Sequence, residues 1–167
     1  MNAKKTKQKK AFTVAEMLVA LAIMAMLLAA LAVAMHAAGV NYEQNEALFR
    51  LTNTARQALL RITAELRTAT AVAVTEPATQ CSLVTSDGRN ITYQYNADDD
   101  TLYLVTNDNL FDDDYILCKN VSAITFTKTT VPTDPSAIRN VQISLTVSDD
   151  TITKTLATAV VIRKNLE

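Results

Sequence analysis

The chain has 167 residues, of which 49% are hydrophobic and 20% are charged, and its formal net charge is −1. A chain of this size and apolar content can bury the core of one modest domain. With only two glycines and three prolines it is not a linker-rich or low-complexity chain. Five of the 16 Lys and Arg residues lie in residues 1–11, so the remainder carries −6. That acidic remainder argues against nucleic-acid binding through a broad basic surface.

The chain begins with a basic leader that is followed by a long apolar run. The leader has no acidic residue and contains Lys4, Lys5, Lys7, Lys9 and Lys10. All 19 residues from Met17 to Met35 are apolar. Because a helix of about 20 residues spans the bilayer core of roughly 30 Å, this run predicts a membrane-spanning helix. The lysines predict that its N-terminal side is cytoplasmic.

One carboxylate interrupts the apolar sequence near its start. Glu16 lies four residues after Phe12, directly before the uninterrupted apolar run. An ionised carboxylate within a bilayer costs a few kcal/mol (about 2.5–3.5 at the helix centre) unless another group pairs with it. Acidic residues inside membrane segments are therefore functional by default, which makes Glu16 the first candidate site residue.

These residues resemble a known signature. The run from Lys9 to Ile23, K-K-A-F-T-V-A-E-M-L-V-A-L-A-I, is similar to the N-terminus of type IV prepilins and type II secretion pseudopilins. The resemblance implies that a prepilin peptidase cuts between Ala11 and Phe12 on the cytoplasmic side, and that the new amine of Phe12 is methylated. It also implies that Glu16 guides subunits into a filament. The residue before the cut is usually Gly in this family, whereas this chain has Ala11.

Two simpler interpretations compete with this resemblance. A cleaved secretory signal peptide has an apolar core of about 7–15 residues, which is shorter than this one, although 32–34 reads Ala-Val-Ala like a cleavage site. A plain single-pass anchor would leave the carboxylate at Glu16 accidental. Neither alternative explains both the position of Glu16 and the abrupt start of the apolar sequence at Phe12, so we favour the prepilin interpretation.

The predicted helix continues beyond the membrane. An apolar stripe with spacings of three and four residues indicates one helix face. Its members are Leu48, Leu51, Ala55, Leu59, Ile62, Leu66 and Ala69. We expect a leader at 1–11, a transmembrane half at 12–38, an amphipathic half at 39–70 and a β-sheet domain at 71–167. Major type IV pilins resembling this chain often have a helix-kinking Pro near what is here Val33, and its absence favours a pseudopilin or minor pilin.

The remainder of the chain has the alternating pattern of short strands. The predicted strands are 82–86, 91–95, 102–105, 121–127, 141–147 and 152–162. Short turns between them, such as Asp87-Gly88, predict an antiparallel sheet with one packed and one exposed face. We expect the packed face to meet the apolar stripe of the helix. The predicted fold class is α+β, and the resemblance implies a pilin-like fold.

The two cysteines, Cys81 and Cys118, lie on the far side of the membrane under this topology. Two thiols in an oxidising compartment commonly pair, so we predict a disulfide between them, with two separate buried thiols as the alternative. Their separation excludes a CxxC redox pair, and the sequence has no second Cys pair for a zinc site.

Acidic clusters are the remaining candidates for ligand binding. Asp98–Asp100 and Asp112–Asp114, together with Asp108, could ligate calcium, and some pseudopilins resembling this chain bind Ca²⁺ in such a loop. No EF-hand spacing is present, and acidic turns are usually only solvated, so we predict no metal and no cofactor. His36 is the only histidine and lies at the predicted membrane edge, which argues against His-based catalysis. We therefore expect a protein that is not an enzyme.

The resemblance implies a structural subunit, a minor pseudopilin or pilin-like protein, of a bacterial type II secretion or type IV pilus filament. Its expected partners are other pilin or pseudopilin subunits, prepilin peptidase, an inner-membrane assembly platform and membrane lipid. The expected location is the bacterial inner membrane, with a single span, a cytoplasmic N-terminus and an extracytoplasmic C-terminal domain, and then the filament. A competence-type pilin that captures DNA stays open as an alternative, as does a plain single-pass anchored β-domain that binds another protein.

Overall fold

The computed structural model describes residues 12–108, 114–149 and 152–165. One long helix, α1, spans Val14–Thr68, and a short 3-10 helix at Arg163–Asn165 follows the last strand. The strands are β1 Ala71–Val72, β2 Gln80–Val84, β3 Asn90–Asn96, β4 Thr101–Thr106, β5 Tyr115–Cys118, β6 Val121–Val131, β7 Asp134–Asp149 and β8 Ile152–Val161. The chain divides into two compact units, Met1–Asn45 and Glu46–Glu167.

Helix α1 is 55 residues long, which confirms the prediction of one long N-terminal helix. The sequence between Val14 and Thr68 contains no proline, and Gly39 is its only glycine. Because proline is the usual cause of a sharp kink, nothing in this composition interrupts the helical hydrogen bonding. The residues of the first unit that the structure describes are all exposed to the surroundings.

In the second unit α1 contributes one face to the hydrophobic core. The buried residues of the helix are Ala55, Ala58, Leu59, Ile62 and Leu66, which recur at intervals of three and four. This spacing places them on one side of a helix with 3.6 residues per turn. They belong to one cluster with strand residues of both sheets, such as Tyr93 on β3 and Val141 on β7. The helix therefore packs on the sheets through side chains of small and branched apolar residues.

The strands form two antiparallel sheets, where the sequence predicted one. The first sheet has the order β1-β2-β3-β4-β5, and the second has the order β6-β7-β8. The division falls at Lys119–Asn120, where Asn120 has a φ of 59°. Asparagine tolerates this left-handed conformation better than most residues, and it turns the chain sharply between β5 and β6. The turn is held by a 2.8 Å hydrogen bond from the Ser148 N–H to the Asn120 carbonyl oxygen.

Two strands and one hairpin were not predicted from the sequence. Strands β1 and β5 have two and four residues, too few to produce a clear alternating pattern. Strands β6 and β7 are longer than predicted and meet in a tight hairpin in which Val131 pairs with Asp134. Pro132 lies in that turn and Pro135 near the start of β7, positions where a missing N–H is tolerated.

A half-buried ion pair joins the two sheets. The Lys128 ammonium on β6 lies 2.7 Å from Oε2 of Glu76, and only 8% and 12% of the two side-chain surfaces are exposed. Lys128 also donates to the Ala73 carbonyl oxygen at 2.8 Å. The Ser82 N–H on β2 donates to the same Glu76 oxygen at 2.9 Å. Each charge is therefore both paired and hydrogen-bonded, as burial requires.

Candidate functional site

The first turn of α1 is closed by a reciprocal pair of side chains. The Thr13 N–H donates to Oε2 of Glu16 at 2.9 Å, and the Thr13 hydroxyl donates to the same oxygen at 3.0 Å. In return, the Glu16 N–H donates to the Thr13 hydroxyl oxygen at 3.3 Å. Thr13 directly precedes the helix and Glu16 is its third residue, so the two form a capping box.

The capping box satisfies groups that a helix end normally leaves open. The first four N–H groups of an α-helix have no partner within the helix, and in a bilayer they also have no water. Thr13 and Glu16 supply acceptors for two N–H groups of this end, and a carboxylate in the first turn also interacts favourably with the positive pole of the helix dipole. Within the described residues, the side-chain hydrogen bonds of Glu16 go to Thr13 alone, through Oε2.

The apolar run that follows the cap is fully open to its surroundings. Its most hydrophobic window of 18 residues has a mean hydropathy of 2.8, and none of that window is buried. Phe12 is 82% exposed and large residues such as Leu18 and Met24 are also exposed. A soluble protein rarely leaves so many large apolar side chains in water. The helix is long and apolar enough to cross a membrane.

The structure places the residues of the predicted cleavage site only in part. Phe12 lies just before α1, two residues ahead of its first residue Val14. Ala11, the other side of the predicted cut, and the leader lysines lie outside the described residues. Glu16, the predicted assembly carboxylate, lies in the first turn of the helix. The site therefore consists, in the described part of the chain, of Phe12, Thr13 and Glu16.

The predicted disulfide between Cys81 and Cys118 is not confirmed. Both cysteines are buried and both are free thiols. Cys81 lies on β2 and Cys118 on β5, with β3 and β4 between them. Since neighbouring strands are about 4.8 Å apart, this order separates the two residues by roughly 14 Å, whereas a disulfide needs Cα atoms within about 7 Å. In the structure Cys81 and Cys118 are two separate buried thiols, which was the alternative to the disulfide.

Several of the acidic residues that were considered as calcium ligands hold turns. The Tyr103 hydroxyl donates to Asp99, and the Tyr95 hydroxyl donates to Oδ1 of Asp100 at 3.3 Å. Asp108 accepts the Asn90 N–H at 2.6 Å. Asp112 and Asp113 lie outside the described residues. Among the residues that the structure describes, no group of three or more His, Cys, Asp and Glu side chains could hold a metal ion.

Thr13 is the site residue that the sequence reasoning missed, although its signal was present. A Thr or Ser followed three residues later by Glu, directly before an apolar run, is the sequence pattern of a capping box. Thr13-Val14-Ala15-Glu16 fits this pattern.

The geometry and the comparisons with known proteins agree on the class of the chain. An exposed apolar helix near the N-terminus, with a capped carboxylate at its start, supports a membrane-anchored protein with a single span. Residues 6–32 match the family model of the prokaryotic N-terminal methylation motif. No curated protein matches the chain. The motif and the long helix together support a type IV pilin-like protein, processed by prepilin peptidase and assembled with other subunits.

Proposed function

We propose that the protein is a structural subunit, a minor pseudopilin or pilin-like protein, of a bacterial type II secretion or type IV pilus filament. The observation that carries this proposal is the methylation motif at residues 6–32, which coincides with the capped start of an exposed apolar helix. The rest of the described chain, a helix packed on two antiparallel sheets, is compatible with the body of such a subunit.

The proposed mechanism is assembly through the helix start. Prepilin peptidase removes residues 1–11 and the amine of Phe12 becomes the methylated N-terminus. That amine is cationic near neutral pH, and in a filament it pairs with Glu16 of a neighbouring subunit. In a medium of low dielectric constant such a pair is stronger than in water. Because the Glu16 side chain already accepts hydrogen bonds through Oε2, the neighbouring amine adds a partner to a carboxylate that is oriented before assembly.

The proposal includes an arrangement in the cell. Residues 12–38 cross the inner membrane with the N-terminal side in the cytoplasm. Residues 39–70 continue the helix, and residues 71–167 form the extracytoplasmic body. An inner-membrane assembly platform takes up the processed subunit and joins it to other pilin or pseudopilin subunits, in contact with membrane lipid.

Processing gives the first test. Protein purified from membranes of cells that contain prepilin peptidase should have an intact mass and an N-terminal sequence that begin at a methylated Phe12. The same protein from cells without the peptidase should begin at Met1 and is the control. Recovery of only the Met1 form when the peptidase is present would contradict the proposal.

Variants of the capping box give the second test, because they separate charge from capping. Glu16→Gln keeps an oxygen that can cap the helix but removes the charge, and we expect incorporation into the filament to fall about tenfold, which corresponds to 1.4 kcal/mol. Thr13→Val removes the hydroxyl but keeps the charge. Although loss of a cap costs about 1 kcal/mol in water, a helix within a bilayer stays formed, so incorporation should remain near that of the wild type.

The measurement is crosslinking or co-purification with partner subunits, relative to the membrane level of each variant. Glu16→Leu, which removes both charge and cap, should insert at least as well as the wild type and should join its partners poorly. All three variants should still be cut before Phe12, as intact mass will show. Normal incorporation of Glu16→Gln together with poor incorporation of Thr13→Val would mean that Glu16 serves only as a cap.

A further inference from the structure

The outer surface of the five-stranded sheet is a face without charge. Strands β2, β3, β4 and β5 contain no charged residue, although 20% of the residues of the chain are charged. One side of these strands packs in the core through residues such as Cys81, Tyr93 and Leu104. The residues that alternate with them lie on the other side, which we call the outer face. It is formed by Gln80, Ser82, Val84, Asn90, Thr92, Gln94, Tyr103, Val105 and Ile116.

One row of side chains crosses the outer face from strand to strand. The row consists of Gln80, Gln94, Tyr103 and Ile116, which are paired in this order on β2 to β5. Because neighbouring strands are about 4.8 Å apart, the row is roughly 14 Å long. Gln94 and Ile116 are exposed, and Gln80 and Tyr103 are half-buried. A ligand can therefore reach all four side chains from one side of the sheet.

The two glutamines of the row carry hydrogen-bonding groups that the described part of the chain does not use. No hydrogen bond joins the side-chain amide of Gln80 or of Gln94 to a described residue. Their polar neighbours are paired instead, since the Ser82 and Thr92 hydroxyl oxygens lie 2.8 Å apart and the Asn107 amide donates to Thr92 at 2.8 Å. Each glutamine amide has two N–H donors and one acceptor oxygen. Two adjacent amides are thus available to a ligand.

The other half of the row is apolar. The Tyr103 hydroxyl donates to Asp99 in the connection between β3 and β4, and this bond orients the ring beside Gln94. Ile116 lies on the far side of the ring and is 42% exposed. The row therefore presents two amides next to an oriented aromatic ring and an aliphatic side chain.

The composition of the row determines which ligand it suits. Nucleic acids and anionic lipids require cationic side chains, and calcium requires carboxylates, and β2 to β5 contain neither. A purely apolar partner would bury the amides of Gln80 and Gln94 without hydrogen bonds, which is unfavourable. A neutral ligand with many hydroxyl groups satisfies the amides, while the C–H faces of its rings lie on Tyr103 and Ile116.

We propose that this row on the outer face binds a neutral polysaccharide. The chain of sugar rings lies across the strands, with one ring on Tyr103 and Ile116 and with the hydroxyl groups of an adjacent ring bonded to Gln80 and Gln94. The site belongs to the second unit alone. It is independent of the helix start and of the proposed role in a filament.

Titration of the full chain with cellohexaose, chitohexaose and maltohexaose tests the proposal, in a detergent that has no sugar headgroup. Isothermal titration calorimetry measures the dissociation constant for each hexasaccharide. We expect at least one of the three to bind with a Kd of about 1 mM or tighter. Binding of none of them would overturn the proposal. Equally tight binding of the anionic hexagalacturonate would also overturn it, because the row has no cation for the carboxylates.

Two tyrosines of the same sheet provide a matched pair of variants. Tyr103→Ala removes the ring of the row and should weaken binding of the hexasaccharide by about threefold to tenfold. Tyr115→Ala is the control, because Tyr115 is 58% exposed but pairs with the core residue Leu104 and so lies on the opposite face. It should leave the Kd unchanged. Equal losses for the two variants would place the ligand elsewhere and would contradict the proposal.

Variants of the amides test the polar half of the row. Gln80→Ala combined with Gln94→Ala should weaken binding several-fold with little change in the thermal unfolding midpoint, and an unchanged Kd would count against the proposal. Tyr103→Ala should join partner subunits as well as the wild type does. If it joins them poorly and no hexasaccharide binds, the outer face contacts another subunit and the proposal is wrong. All these variants should still be cut before Phe12, so failure here is distinguishable from failure of the proposed function.

Discussion

Cys81 and Cys118 are two thiols of low reactivity. Burial raises the pKa of Cys81 to about 12, with a smaller opposing effect from the nearby Lys128 charge, and burial raises the pKa of Cys118 to about 11. The thiolate is the reactive form of cysteine, and at neutral pH its fraction at both residues is very small. The two side chains therefore act as small apolar groups of the core.

We expect both thiols to resist alkylation by iodoacetamide in the folded protein at pH 7.5 and to react after unfolding without a reductant. Mass spectrometry should then find two adducts per chain. A sample that was reduced before unfolding is the control and should give the same two adducts. Absence of adducts in the unreduced sample would show a disulfide and would require β2 and β5 to be arranged differently.

At the scale of single residues, a carboxylate at the start of the apolar helix was predictable and the placement of the two cysteines was not. Glu16 stands out because its cost in a bilayer depends only on its own sequence neighbourhood. A disulfide depends on the distance between Cys81 and Cys118, and that distance depends on how many strands lie between them. Sequence spacing carries no information about strand order, so compartment and cysteine count alone favoured a pairing that the fold does not contain.

The packing of the second half of α1 on the sheets depends on the buried face of the helix. Ile62 is fully buried in the core, whereas Leu60 on the same helix is 63% exposed. Ile62→Ala should lower the free energy of unfolding of the second unit by about 2–5 kcal/mol, because it removes buried methyl groups and leaves a cavity. Leu60→Ala, the matched control, should change it by no more than about 0.5 kcal/mol.

Urea unfolding of the full chain in detergent, followed by tyrosine fluorescence, measures this difference, since the tyrosines of the second unit include the buried Tyr93. Similar losses for the two variants would mean that the exposed face of the helix is also packed in the protein that is measured.

Among the elements, those with a long regular pattern could be predicted. Strand β7 alternates between core and surface residues from Val141 onward, and the buried residues of α1 recur at intervals of three and four between Ala55 and Leu66. The short strands β1 and β5 have no such length. The division into two sheets rests on the backbone conformation of Asn120, a single residue whose preference for a turn competes with a strand pattern on both sides.

The ion pair between Glu76 and Lys128, which joins the two sheets, makes the stability of the second unit depend on pH. Burial alone would raise the pKa of Glu76, but hydrogen bonds from Lys128 and Ser82, with the Lys128 charge, outweigh it and hold this pKa below its ordinary value of 4.5. A carboxyl group with a lowered pKa stabilises the fold above its unfolded pKa, and this contribution is lost as the pH falls through the folded value.

We expect the free energy of unfolding of the wild type to fall as the pH drops below about 4.5, and that of Glu76→Gln to fall less over the same range. Other carboxyl groups, such as Asp87 and Asp134, also have lowered pKa values, so the comparison of the two proteins isolates the part that belongs to Glu76. The difference between the thermal unfolding midpoints at pH 7 and at pH 3.5 measures the loss of stability in each protein. Equal losses in both proteins would show that Glu76 does not contribute.

Removal of the cation tests the same pair from the other side. Lys128→Met leaves a half-buried carboxylate without its partner and should cost about 1–3 kcal/mol at pH 7. The double variant Lys128→Met/Glu76→Gln should be more stable than Lys128→Met alone, because no uncompensated charge is left inside. If the double variant is the less stable of the two, the lysine stabilises the fold through its aliphatic stem and not through the ion pair.

The position of Phe12 ahead of α1 has a consequence for the order of events in maturation. If the chain is cut before Phe12, as we propose, the peptidase removes the leader without breaking a hydrogen bond of the helix, whose first residue is Val14. The cut then places a new cation beside the positive pole of the helix dipole, which is unfavourable by about 0.3–1 kcal/mol. A neighbouring carboxylate relieves that repulsion. Maturation thus raises the free energy of the solitary subunit relative to the assembled one, so that proteolysis itself favours polymerisation.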